Sequence, residues 1–167
     1  MMLRKKVSRV DTNDSLVERY GIQWKHVYVA RENAPDISLR VFKELVQEGS
    51  QGLVITDANA DDFSRDMEVD RRVITGLVEA STLEVLEERI GEFLSKERFG
   101  AILLDAIDGI IKKYGEVRAL LFINAVIKRV SSADSILVIS VNPKSVRKKF
   151  YEGLTSLSSA GVDELHY

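Results

Sequence analysis

Five short apolar runs, spaced by segments of helical period, set the architecture of this chain. They are HVYVA (26–30), GLVIT (52–56), VITGLV (73–78), AILLD (101–105) and SILVISV (135–141). Each is continuous rather than alternating, the pattern of strands buried on both faces, as in a parallel sheet lying between helices. Helical stripes fill most of the gaps: Ile37, Val41 and Leu45 with the adjoining Phe42 and Val46, then Leu83, Leu86, Ile90, Phe93 and Leu94, then Val146, Phe150, Leu154 and Leu157. This order predicts a three-layer α/β domain with a mainly parallel sheet of about five strands and right-handed crossovers. AILLD takes the centre because nothing interrupts its apolar residues. The polar stretch ANADDFSRDMEVDRR, between the second and third runs, has room for only a short helix.

Punctuation agrees with these limits. Gly49 and Gly100 follow two of the helices, where left-handed backbone is common. Asn142 and Pro143 read as the N-cap and first residue of the last helix. Residues 1–24 read as an arm whose DSLVERYG is a short helix closed by Gly21, the preceding dozen residues being mobile, and 25–167 as one domain. With 167 residues, 45% of them apolar, one full core is available and a second domain is not needed.

Composition removes several function classes. A net charge of −2 argues against a general nucleic-acid binder, whose basic surface would dominate. The chain has no cysteine, so thiolate nucleophiles, thiolate metal sites and disulfides are excluded. His26 and His166 stand alone, and no metal or cofactor site is expected from them. No apolar run reaches the roughly 18 residues of a membrane helix, and the basic start MMLRKKVSRV leads into no apolar stretch, so the expectation is a cytoplasmic protein without a membrane role.

The stretch FGAILLDAIDG raises the question of catalysis, because an apolar strand ending in Asp105, with Asp108 one turn on, looks like the magnesium-holding strand of a nucleotide hydrolase. In open α/β sheets the ligand crevice lies outside the carboxyl ends of the strands, so Asp105 is well placed. The remaining parts are missing. None of the ten glycines precedes a lysine, and no two have GxG spacing, so phosphate loop and dinucleotide fingerprint are both absent. After the first strand the chain reads RENAPDIS instead, where Glu32 and Asp36 put like charge at the spot a triphosphate would occupy.

The succession HVYVARE, LVQEGSQGLVITDANADDF, GAILLDAIDGIIKKYG and ADSILVISVNPKSV resembles the archaeal DUF835 family over roughly residues 25–158. That family in turn looks like a RecA/KaiC-type ATPase core without its phosphate loop. The resemblance implies a strand order of 3-2-4-5-1, and it implies roles by position. Asn59 falls where the catalytic glutamate is kept, Asp105 matches the magnesium-binding aspartate, and Asn142 lies near the residue that senses the γ-phosphate.

Two further features are candidates for function. In EVRALLFINAVIKRV (116–130) one stripe, Leu120, Ile123, Val126, Ile127 and Val130, suffices to pack on the sheet, while Leu121 and Phe122 fall outside it. These two suggest a homodimer interface, with Tyr20, Ile22 and Trp24 of the arm as contributors or as an internal cover. In KSVRKKF (144–150), Lys144, Arg147, Lys148 and Lys149 crowd a helix start, against the dipole, where an anion could sit. The resulting expectation is a non-catalytic regulatory or scaffolding module that associates with protein. The alternative is a nucleotide or phosphate binder using Asp105, Asp108, Asn142, Lys144, Arg147 and Lys148.

Overall fold

The computed structural model describes residues 15–157 and 162–165. Six parallel strands form one sheet in the order β3-β2-β4-β5-β1-β6. They are β1 (Val27–Arg31), β2 (Gly52–Thr56), β3 (Ile74–Gly76), β4 (Ala101–Asp105), β5 (Ile136–Val141) and β6 (Val162–Leu165). The central position of β4, between β2 and β5, is as expected, and the 3-2-4-5-1 order is extended by β6 at the edge. The described helices are α1 (Leu16–Arg19), α2 (Ile37–Gln47), α3 (Ala60–Met67), α4 (Leu77–Ala80), α5 (Leu83–Lys96), α6 (Ile107–Tyr114), α7 (Glu116–Ser132) and α8 (Lys148–Thr155).

Pleating sends alternate residues of each strand into two cores. Ala101 and Leu103 of β4, with Ile136 and Val138 of β5, pack under α1, α2 and α3. Ile102 and Leu104, with Leu137 and Ile139, pack under α4 to α8. A strand apolar at every position is what two such layers require.

Local chemistry explains where the sequence reading and the structure part. The run 73–78 is a strand only to Gly76, because the Glu79 carboxylate accepts the Gly76 amide at 2.8 Å and starts α4. Gly49 does close α2 in left-handed backbone, φ 112°. Gly100 does not: Phe99 carries the left-handed φ of 59°, and Gly100 is required because a Cβ there would meet the Phe93 ring at 2.7 Å. Asn142 caps a turn rather than a helix, accepting the Lys144 amide at 3.0 Å, and α8 starts only at Lys148.

Of the arm, Ser15 onward is folded. Gly21 (φ 63°) terminates the short helix as expected, and Leu16 is buried with Tyr20 and Ile22 packed beside it in the α2 layer. The Glu44 carboxylate of α2 accepts the amides of Leu16 and Val17 at 2.9 and 3.1 Å and the Ser15 hydroxyl. Residues 1–14, read as a mobile arm, and His166 lie outside the described residues.

Candidate functional site

The carboxyl ends of β1, β4 and β5 open onto a hollow of about 200 Å³ bordered by Glu32, Asp57, Asp105, Asp108 and Asn142. The loop from Glu32 to Pro35 borders it and leads into the amino end of α2. A helix amino end presents unpaired amides and the positive end of the dipole, and phosphate loops use that position to hold an anion. Here Asp36, at the cap position, makes no side-chain cap bond. Glu32 does so from the preceding loop: its Oε1 accepts the Ile37 amide at 2.8 Å and the Ser38 amide at 3.4 Å. Its Oε2 accepts the Ser38 hydroxyl and, at 2.7 Å, the Ser140 hydroxyl from β5. The anion position of this fold is therefore taken by the protein's own carboxylate.

Two other carboxylates serve as ties around the same rim. Asp57, just past β2, accepts the Gly109 amide of α6 at 2.8 Å, and a Cβ on Gly109 would meet the Asp57 Cβ at 2.6 Å. Asp108 accepts the Ser145 hydroxyl at 2.9 and 3.0 Å, joining α6 to the turn after β5. Asp105 sits among them and receives the Thr56 hydroxyl at 3.2 Å. Burial and the neighbouring Asp57 charge push its carboxyl up to about 7, against the Thr56 hydrogen bond. Burial also raises Asp57, opposed by the Gly109 amide and aided by Asp108. Near neutral pH, Asp105 thus sits at the balance between acid and carboxylate, ringed by acidic groups. Among the described residues no group of three or more His, Cys, Asp or Glu is arranged to hold a metal ion.

The other site residues named from sequence scatter. Asp105, Asp108 and Asn142 meet at the hollow. Arg147 turns to Glu116 of α7, bonding both carboxylate oxygens at 3.0 and 2.8 Å, so the basic cluster is partly neutralised; Lys144 stands before α8, Arg147 is its cap residue, and Lys148 and Lys149 begin it. Asn59 caps α3, accepting the Asp62 amide at 3.0 Å. Glu32 was seen in the sequence only as a repelling charge. The cap itself is local, to Ile37 and Ser38, but the bond from Ser140 spans 108 residues and has no signal in the sequence near Glu32.

The expected interface pair also divides. Phe122 is 3% exposed and belongs to the core under α7, whereas Leu121 is 65% exposed. Because α7 packs against α5, α6 and α8 as well as β5, it buries a wider face than a helix touching the sheet alone. Tyr20 and Ile22 lie in the opposite layer and do not cover Leu121. Trp24 instead meets Phe99 edge to face, ring centres 5.1 Å apart.

Strand order, layers and crevice define a three-layer α/β protein of RecA-like fold, in which Glu32 occupies the amides at the amino end of α2. Among solved structures it is similar to the flagellar accessory protein FlaH from Methanocaldococcus jannaschii, with a TM-score of 0.64 over 89% of this chain and 75% of that one. Identity is 15%, so the likeness is one of fold. No family model and no curated protein matches the chain. No helix among the described residues is long and apolar enough to cross a membrane.

Proposed function

We propose that this chain is a non-catalytic interaction module, a RecA-like framework of the DUF835 kind used in the cytoplasm as a regulatory or scaffolding surface. The observation that carries this reading is the Glu32 carboxylate on the Ile37 and Ser38 amides. A nucleotide phosphate brought there would have to displace a bonded carboxylate and approach Asp57, Asp105 and Asp108 without a loop lysine. Each of those contacts is repulsive toward an anion. The fold shared with a flagellar accessory protein is in keeping with a part played within an assembly.

The competing reading is a nucleotide or phosphate binder that uses Asp105 and Asn142. Thermal melts with ATP, GTP and cyclic nucleotides, each with and without magnesium, separate the two. A ligand at 100 times its dissociation constant adds about 2.7 kcal/mol of stability, which is readily seen. The module reading predicts unmoved melting temperatures. A magnesium-dependent rise that disappears in Asp105→Asn would replace it with the binder.

A further inference from the structure

A hollow of about 630 Å³, larger than the acidic one, opens between the carboxyl half of α2 and the connection from α3 to β3. Phe42, Val46, Val69 and Val73 give it an apolar lining, with Val46 39% exposed. One side of it is a sheet edge. Among the described residues β3 pairs with β2 only from Val54 to Thr56, so Gly52 and Leu53 have no strand beside them there. Gly52 lines the hollow, and a Cβ on it would meet the Phe42 ring at 2.6 Å and Val46 at 2.9 Å. A bare strand edge offers backbone donors and acceptors, which suit a polypeptide segment better than a small molecule.

Glu68 stands in the same lining. It ends α3 in left-handed backbone, φ 56°, where glycine is favoured, so a carboxylate is kept at this place against its conformational preference. Asp70 beside it is taken by Arg72 at 2.7 Å, whereas no described residue forms an ion pair with Glu68. Lys43 is the cation of the lining.

We propose that residues 1–14 of this same chain fill the hollow. The place where that segment joins the described fold selects it. α1 starts at Ser15, where Glu44 accepts the Ser15 hydroxyl and the Leu16 and Val17 amides, while Tyr20 past its other end lies within electrostatic reach of Arg40 and Asp36. α1 therefore runs against α2, and the chain before Ser15 departs toward the carboxyl end of α2, where Val46, Gln47 and Gly49 line the hollow. The acidic hollow lies at the opposite end of that helix. Glu44 and Val46 are about 200° apart around α2, so the segment has to cross one helix width, about 10 Å, which about four extended residues span. That leaves MMLRKKVSRV, whose Leu3, Val7 and Val10 supply apolar side chains and whose Arg4, Lys5, Lys6 and Arg9 supply cations for Glu68 and for Glu48 at the end of α2. Because the segment is tethered, its effective concentration at the hollow is high and weak contacts suffice.

The chain has no cysteine, so Ser8→Cys gives a single attachment point for a nitroxide. In nitrogen–proton spectra of that full chain, the amides of Val46, Ser50, Gly52 and Glu68 should broaden and recover when the nitroxide is reduced, while those of Gly109 and Asn142 at the acidic hollow and Leu121 on α7 stay sharp. Val46→Asp, a change at an exposed position, should cancel the broadening and leave the rest of the spectrum in place. Broadening that is absent, spread evenly over the surface, centred on the acidic hollow or retained in Val46→Asp overturns the proposal. So does broadening of the same amides when nitroxide-bearing chain without nitrogen label is mixed with nitrogen-labelled chain without nitroxide, since a second copy's segment would then be the occupant. None of these readings involves nucleotide, so they stand apart from the melting assay.

Discussion

Leu103→Asp should abolish cooperative unfolding. Leu103 is fully buried at the middle of the central strand, paired with Val54 on one side and Val138 on the other. It faces the core under α2, whose buried members among the described residues carry no charge. Placing an unpaired charge there costs several kcal/mol beyond the lost packing of the leucine, and a domain of this kind is stable by only about 5 to 15 kcal/mol. Circular dichroism on heating should show no sharp transition for the variant. A soluble variant with the parent's melting temperature would refute the placement of β4.

Asp105→Asn should stabilise the protein, most at neutral and alkaline pH. The Asp105 carboxyl titrates near 7 in the folded protein against 3.8 for an ordinary aspartate. Above pH 7 the native state holds a desolvated charge that the unfolded chain leaves in water, so stability is lowered there. As pH falls from 7 towards 3.8 the native state takes up a proton first and the penalty fades; below 3.8 both states are protonated and it is gone. Asparagine removes the charge and keeps an oxygen to accept the Thr56 hydroxyl. The gain at about pH 8 should be roughly 2 to 4 kcal/mol, or on the order of 5 to 10 °C in melting temperature, and should vanish near pH 4. Equal melting of parent and variant at pH 8 would show that Asp105 carries no such penalty.

Most of the sheet was legible in the sequence because burial on both faces leaves an unbroken apolar run, which GLVIT and AILLD show to the residue. The edge strand β6 was not, since VDEL is half acidic and gives no such run. The Phe122 misreading has a different origin: a helical wheel drawn for the sheet alone assumes one contact, while α7 touches three helices as well as β5. At the candidate site, Asp105, Asp108 and Asn142 were visible as residues at strand ends, where the fold class places a crevice. The tie from Ser140 to Glu32 was not, because it depends on β5 running beside β1, a juxtaposition created only by the strand order.

The amides of Ile37 and Ser38 report most directly on whether Glu32 fills the anion position. Nitrogen–proton correlation spectra of the labelled protein, titrated with magnesium and ATP to millimolar concentration, follow both. With the carboxylate in place, neither resonance should move along a saturating curve, while Glu32→Gln should displace both without any ligand. A saturable shift of these two amides in the parent protein would mean that phosphate displaces Glu32, and that the chain binds nucleotide after all.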